Sequence, residues 1–402
     1  MRNYDVAVIG AGPAGAASAL RLARTGADVL LLDRAKFPRD KPCGGAVTGR
    51  ALLRAPCDIA PVVENVVRVA DLAGADGIAC VRESRAPIAY MTQRRRLDLH
   101  IAERAAAAGA EFRDGVGRVS IDPETLTITA GGERCRASVV VGADGANGMT
   151  AERIGLGETR AIGVALEGNL PRSSAAVAHY DGRALVHFNV MRGGYGWIFP
   201  KEDHVNVGVG GWLSEGPQLR ACLEAFCEEH GVRFDQLTDV RGHRLPMKTS
   251  RARIADRRVC LVGDAAALVD PLTGDGMYEC FLSAELAATH VGALLHGTAA
   301  DLSGYQRELE LRLRAQHWAS WLLKSAFDRL PRTTYRIAMS PPVWAVIRDL
   351  LTGDLAEFES AAGRRLPLRL IGALAARTER RAWGRLKAPL SAEPPARAFA
   401  RS

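Results

Sequence analysis

The feature that most constrains this chain is a glycine turn, Gly10-Ala11-Gly12-Pro13-Ala14-Gly15, set between an apolar strand at residues 4–9 and an alanine/leucine helix at 16–25. Gly10 permits the tight turn, Gly12 lets the backbone approach a pyrophosphate, and Gly15 lets helix and strand pack closely. The helix N-terminus, from Ala14 onward, offers free N–H groups and the positive end of a dipole. A second continuous apolar strand, 29–32, is of the kind parallel sheets bury on both faces. Asp33 closes it, 33 − 10 = 23 residues after Gly10, where a carboxylate accepts from a ribose hydroxyl, with Arg34 beside it. Strand, turn, helix, strand and acid together predict a βαβ unit that grips a dinucleotide.

Two further segments favour FAD over NAD. Asp144-Gly145 follows a predicted strand at 138–141. Gly263-Asp264 follows another at 258–262, and the run from Asp270-Pro271 through Gly274-Asp275-Gly276-Met277 leads into a helix at 276–295. The Asp264 carboxylate suits an extended polyhydroxyl chain. The glycines around Asp275 let N–H groups reach a flat ring at a helix N-terminus, where negative charge on a reduced ring is stabilised. Between these pieces, residues 162–212 read as short strands with glycine turns, the pattern of an antiparallel sheet. A further helix is expected at 96–108. The expected fold is α/β, α+β overall. A discontinuous nucleotide-binding domain (1–75, 92–155, 256–300) carries an inserted antiparallel substrate domain (76–91, 156–255). A helical region follows at 301–402, with a helix at 305–323 whose Leu309, Leu313, Trp318, Trp321 and Leu322 fall at helical intervals.

These motifs resemble the flavoprotein hydroxylase superfamily and, within it, the geranylgeranyl reductase family, over most of residues 1–300. The resemblance implies that the glycine turn holds the FAD pyrophosphate, that Arg94 contacts FAD, and that Asp144 and Asp264 lie in the family's Asp-Gly and Gly-Asp segments. Asp33 departs from the usual Glu. The stretch Pro38-Arg39-Asp40-Lys41-Pro42-Cys43-Gly44-Gly45 is similar to the family's Pro-Arg-x-Lys-x-Cys-Gly-Gly, which runs beside the isoalloxazine. Arg39 and Lys41 supply positive charge, and Cys43 is either a small packed side chain or a proton donor. Tyr195-Gly196-Trp197-Ile198-Phe199-Pro200, followed by Gly208-Val209-Gly210, resembles the Tyr-x-Trp-x-Phe-Pro … Gly-x-Gly signature. Strand alternation puts Tyr195, Trp197 and Phe199 on one face. Such a face is an ordinary aromatic core or the wall of an apolar substrate pocket. Paired with Cys43-Gly44-Gly45, the pocket reading prevails. Halogenases carry a Trp-x-Trp-x-Ile-Pro sequence at a comparable place, but here Tyr replaces the first Trp and Phe replaces Ile.

The resemblance implies hydride transfer from reduced FAD to a C=C bond of an isoprenoid lipid or polyprenyl chain, with Cys43, Tyr195 or a water as proton donor and Trp197 beside them. The alternatives are an FAD monooxygenase or dehydrogenase acting on an aromatic or natural-product substrate, and an electron-transfer flavoprotein. Only one glycine fingerprint is present, so NAD(P)H and ferredoxin both stay open as electron donor.

Bulk properties narrow the setting. The eight cysteines form no Cys-x-x-Cys pair, so no metal or iron–sulfur centre is expected. No long apolar run and no leader before the first strand predict a cytoplasmic protein. The charge is polarised: residues 361–402 hold ten Lys/Arg and two Glu, 10 − 2 = +8, equal to the net charge of the whole chain. That argues against nucleic acid as a partner and predicts peripheral contact between the basic, leucine-containing segment 364–387 and an anionic membrane, followed by a loose end at 388–402. The oligomeric state is not legible.

Overall fold

The computed structural model describes residues 1–74, 77–157, 160–172, 178–248 and 252–355. The basic segment 364–387 and the end at 388–402 lie outside the described residues. The opening unit forms as its sequence dictates. Arg2–Ile9 pairs in parallel with both Val29–Leu32 and Glu133–Gly142, and Val29–Leu32 is buried at every position. Pro13–Ala23 starts with proline at its head and ends before Gly26, whose φ of +85° lets the chain turn back. Its alanines let Arg94–Ala107 and Met277–Leu295 pack close on either side. An ideal Cβ on Gly15 would lie 1.8 Å from the Gly10 carbonyl oxygen, so helix and turn touch through backbone. Val259–Leu261 and Glu111–Arg113 extend the sheet in parallel on opposite sides.

A second sheet has, among the described residues, seven strands in the order Thr238–Lys248, Arg160–Pro171, His204–Trp212, Tyr195–Pro200, Arg183–Phe188, Val69–Gly74, Ala79–Glu83. Two expectations need correcting. Val69–Gly74, read from the sequence as part of the nucleotide unit, belongs to this sheet, and it pairs in parallel with Arg183–Phe188. Ala89–Met91, read as part of the inserted domain, pairs instead with Ala46–Thr48 and Asn65–Val67 in a small third sheet. Partners more than 100 residues away decided the first pairing, and periodicity carries no information about them. Leu219–Glu229 covers the back of the second sheet; an ideal Cβ on Gly196 would lie 2.6 Å from the Phe226 ring.

The C-terminal part is helical through Pro341–Thr352. Ser303–Arg329 runs longer than expected at both ends. Leu309 and Leu313 are core, but Leu322 is exposed, and Trp321 leaves the helical core to stack on Trp212 of the second sheet, ring planes 10° apart. No helix among the described residues is long and apolar enough to cross a membrane. Tyr305, fully buried, donates from its hydroxyl to the Leu261 carbonyl at 2.8 Å and so ties this helix to the central sheet. Tyr305→Phe is expected to lower unfolding free energy by about 1–2 kcal/mol, the cost of a lost hydrogen bond with its acceptor left buried. Denaturant titration checks this, and an unchanged midpoint would remove Tyr305 as a tie.

Candidate functional site

The glycine turn lies at the head of Pro13–Ala23, a helix with no side-chain cap. Two guanidinium groups converge there: from an ideal Cβ on Gly12, the nearest atoms are an Arg94 nitrogen at 3.7 Å and an Arg39 nitrogen at 3.8 Å. Both are held by acids. Arg94 pairs bidentately with buried Asp98 at 2.7 and 2.8 Å, and Arg39 reaches Asp98 at 3.1 Å and Asp33 at 3.4 Å. Burial opposes the charge on Arg94, but the Asp98 carboxylate outweighs it and drives the guanidinium pKa upward, so Arg94 stays cationic. Asp33 accepts from the Ala11 and Ala35 N–H groups, both at 2.9 Å, which fixes the end of its strand against the turn. Arg34 is exposed.

The other predicted cofactor segments converge on the same place. Gly10 abuts Ala143 and Asp144; its Cβ would fall 2.3 Å from the Ala143 oxygen, and its φ is +105°. Asp144 accepts from the Thr150 N–H at 2.8 Å, while its Oδ1 is buried without a partner. Gly145 has a φ of +78°. Gly263 packs against Ala14. Asp264 meets Lys41 at 3.0 Å; burial raises its pKa, but Lys41 outweighs burial and holds it below the usual carboxylate value. Past Pro271 the Asp275 carboxylate accepts from the Met277 N–H, and burial pushes its pKa up to about 6. An uncapped helix N-terminus with two fixed cations, an orphaned carboxylate oxygen and crowded glycines fits FAD: anionic in its middle, rich in hydroxyls, flat at one end. Arg94, Arg39 and the turn would hold its phosphates.

The aromatic strand closes this space. Tyr195, Trp197 and Phe199 follow one another along one face with ring centroids 5.8 and 6.3 Å apart. Gly208 sits opposite Trp197, and a Cβ there would lie 2.2 Å from the indole, so glycine makes room for the ring. Gly210 pairs with Tyr195. Trp197 is locked by its N–H to Asn206 at 2.7 Å. Gly44 packs directly on the strand, with an ideal Cβ 2.8 Å from Phe199 and 3.4 Å from Trp197. The Tyr195 hydroxyl donates to the Thr273 carbonyl and lies beside Gly274. The Cys43 stretch, the aromatic face and the 270–277 loop are therefore one site. Pro200 closes the strand by pairing with Val205.

Two groups, Glu167 and Lys201, escaped the sequence reading, and Asp270 had no role assigned to it. Glu167 is 5% exposed; its Oε1 accepts from the Cys43 N–H at 2.6 Å, and its Oε2 has no partner. Lys201 is 3% exposed and donates to the carbonyls of Gly44 at 2.5 Å and Thr92 at 3.0 Å. Asp270 accepts from Leu272, Thr273, Ser320 and Gln316, which ties the 270–277 loop to the Ser303–Arg329 helix. Two signals were available: a lone acid in the apolar strand sequence Val164-Ala165-Leu166-Glu167, and a lysine directly after the aromatic motif. On the far face of the sheet, the His187 and His230 imidazoles pair at 3.2 Å beside Glu229.

The chain is similar to known proteins over most of its length. A family profile described as "Lycopene cyclase protein" matches residues 5–330. The chain is 31% identical to the geranylgeranyl diphosphate reductase of Nicotiana tabacum chloroplasts, over 83% of this chain and 75% of the relative. It is 32% identical to a menaquinone reductase of Mycobacterium tuberculosis, over 71% and 76%. The solved structure of a geranylgeranyl bacteriochlorophyll reductase-like protein from Thermoplasma acidophilum shares the fold, with a TM-score of 0.76 at 23% identity, covering 87% of this chain and 100% of that one.

Arg39→Met removes one of the two cations at the glycine turn and leaves Asp98 paired with Arg94. The dissociation constant for FAD, read by flavin fluorescence, is expected to rise about tenfold, or about 1.4 kcal/mol. An unchanged constant would take Arg39 out of the phosphate site.

Proposed function

Because this chain belongs to the geranylgeranyl reductase and lycopene cyclase family of FAD-dependent oxidoreductases, we propose that it saturates C=C bonds in an isoprenoid chain such as a polyprenyl diphosphate or the side chain of a quinone. The observation that carries this reading is the contact of Gly44 with the Trp197–Phe199 face. It sets an apolar wall directly against the stretch that follows the phosphate-binding cations. When bound, reduced FAD supplies the hydride. The protein's residues align the alkene, exclude water and hold the proton that the second carbon takes up.

Among the residues proposed as proton donors, the geometry favours Cys43. The Tyr195 hydroxyl is engaged with the Thr273 carbonyl, and burial raises its pKa, so it holds its proton firmly. The Cys43 sulfur accepts from the Gly45 N–H at 3.4 Å, which fixes it within the turn that lies beside the aromatic wall. An isolated alkene accepts hydride poorly, so protonation and hydride delivery must develop together.

The test is anaerobic. Protein reduced by dithionite is mixed with geranylgeranyl diphosphate, and the lipid is weighed by mass spectrometry. A gain of two mass units per reduced bond is expected. A product heavier by one oxygen atom after admission of air, with no saturation, would replace the proposal by a monooxygenase.

A further inference from the structure

The face of the second sheet turned away from the nucleotide site carries a cluster that the proposed reaction does not use. Strand alternation divides Arg183–Phe188 between the two faces. Phe188 packs on Tyr195 with ring centroids 6.3 Å apart, while His187 lies under Leu219–Glu229, 6.2 Å from the Phe226 ring. That helix ends beside it, with Glu229 as the last helical residue and His230 as the cap. His187 Nδ1 lies 3.2 Å from His230 Nε2 and 3.6 Å from Glu229 Oε1, and the three ligand atoms all fall within 4.8 Å of one another. Among the described residues, no other group of three His, Cys, Asp or Glu side chains converges in this way.

We propose that His187, His230 and Glu229 bind one divalent transition-metal ion of the zinc type. Two imidazole nitrogens on one tetrahedral zinc stand about 3.3 Å apart, and a carboxylate oxygen stands about as far from each. The two spacings from His187 Nδ1 match this pattern. The Glu229 side chain is more than half exposed, so rotation of its carboxylate closes the set. His187 is buried and its Nε2 meets no partner, so the polar contacts of the ring run through Nδ1, toward the other two ligands. Burial and the neighbouring His187 hold His230 below the usual imidazole pKa, against Glu229, which leaves its ring in the neutral form that ligates a metal. The last carbonyls of the helix add partial negative charge, which favours a cation at this end. His187 and Glu229 also line a cavity of about 470 Å³, which gives room for a water as fourth ligand. Two imidazoles and one carboxylate suit zinc and its first-row neighbours better than magnesium or calcium, which take oxygen ligands.

The cysteine spacing that argued against a metal bears only on thiolate sites, and this set uses no cysteine. Its two histidines stand 43 residues apart, so no local motif announces them. An ion held here ties the end of Leu219–Glu229 to the strand whose opposite face carries Phe188 against Tyr195. It would brace the aromatic wall from behind and touch neither cofactor nor substrate. The site is independent of the reaction catalysed on the other face.

The FAD-loaded protein is stripped of metal with EDTA and dialysed against graded zinc chloride, and the bound zinc is counted by elemental mass spectrometry. The parent is expected to take up one zinc that His230→Gln and Glu229→Gln bind more than about tenfold more weakly, since a direct ligand is worth at least as much as an outer-shell partner. Zinc is expected to raise the thermal midpoint of the parent by about 2 °C or more and that of His230→Gln by less, and magnesium to raise neither. Flavin binding, read by fluorescence, stays at the parent value in both variants and certifies their fold. If His230→Gln does not fold, Glu229→Gln decides alone, because its side chain is exposed. Equal zinc affinity in parent and variants would put the metal elsewhere, such as on one of the eight cysteines, and overturn the site. No uptake at millimolar zinc would overturn it too, and would leave His187 and His230 as an ordinary hydrogen-bonded pair.

Discussion

The structure depends on backbone packed directly against backbone and ring at the Cys43-Gly44-Gly45 turn. Three layers meet there. The turn leads away from the nucleotide-binding unit, lies flat on Phe199 and Trp197, and is underpinned by Lys201 from the end of the aromatic strand. A side chain at Gly44 would meet the Phe199 ring at 2.8 Å, and one at Gly45 would meet the Thr92 carbonyl oxygen at 2.0 Å and the Lys201 ammonium at 2.5 Å. Close packing of this kind tolerates little volume change.

Charge is managed in the same economical way. Arg94 and Arg39 share Asp98, and Arg39 also reaches Asp33, so the cations at the glycine turn are fixed before any anion arrives. Preorganised cations bind a phosphate without the entropic cost of ordering long side chains. On the other side of the site the 270–277 loop is anchored through Asp270 to Ser320 and Gln316, and Gln316 in turn meets Glu279 and Arg50. The C-terminal helix is therefore part of the frame of the site, although it supplies no residue of the glycine motifs.

The two sheets divide the work. Parallel strands bring the glycine turn, Asp144 and Asp264 to one edge because all three follow strands running in the same direction. The second sheet presents its aromatic row toward that edge and buries its other face under Leu219–Glu229. Strand alternation makes this two-sided use possible: Trp197 faces the site, while Gly196 gives way to Phe226 behind it.

Local sequence determined the βαβ opening, down to the bounds of Val29–Leu32, because glycine spacing, apolar runs and a terminal acid are short-range signals with short-range causes. It also determined the aromatic face, since alternation alone aligns Tyr195, Trp197 and Phe199. Tertiary structure decided that Val69–Gly74 joins the second sheet and that Glu167 and Lys201 grip the cysteine turn. Those outcomes rest on pairings across 100 residues or more, such as Glu167 with Cys43 at a separation of 124, and a charge in a strand does not announce which distant N–H it will meet.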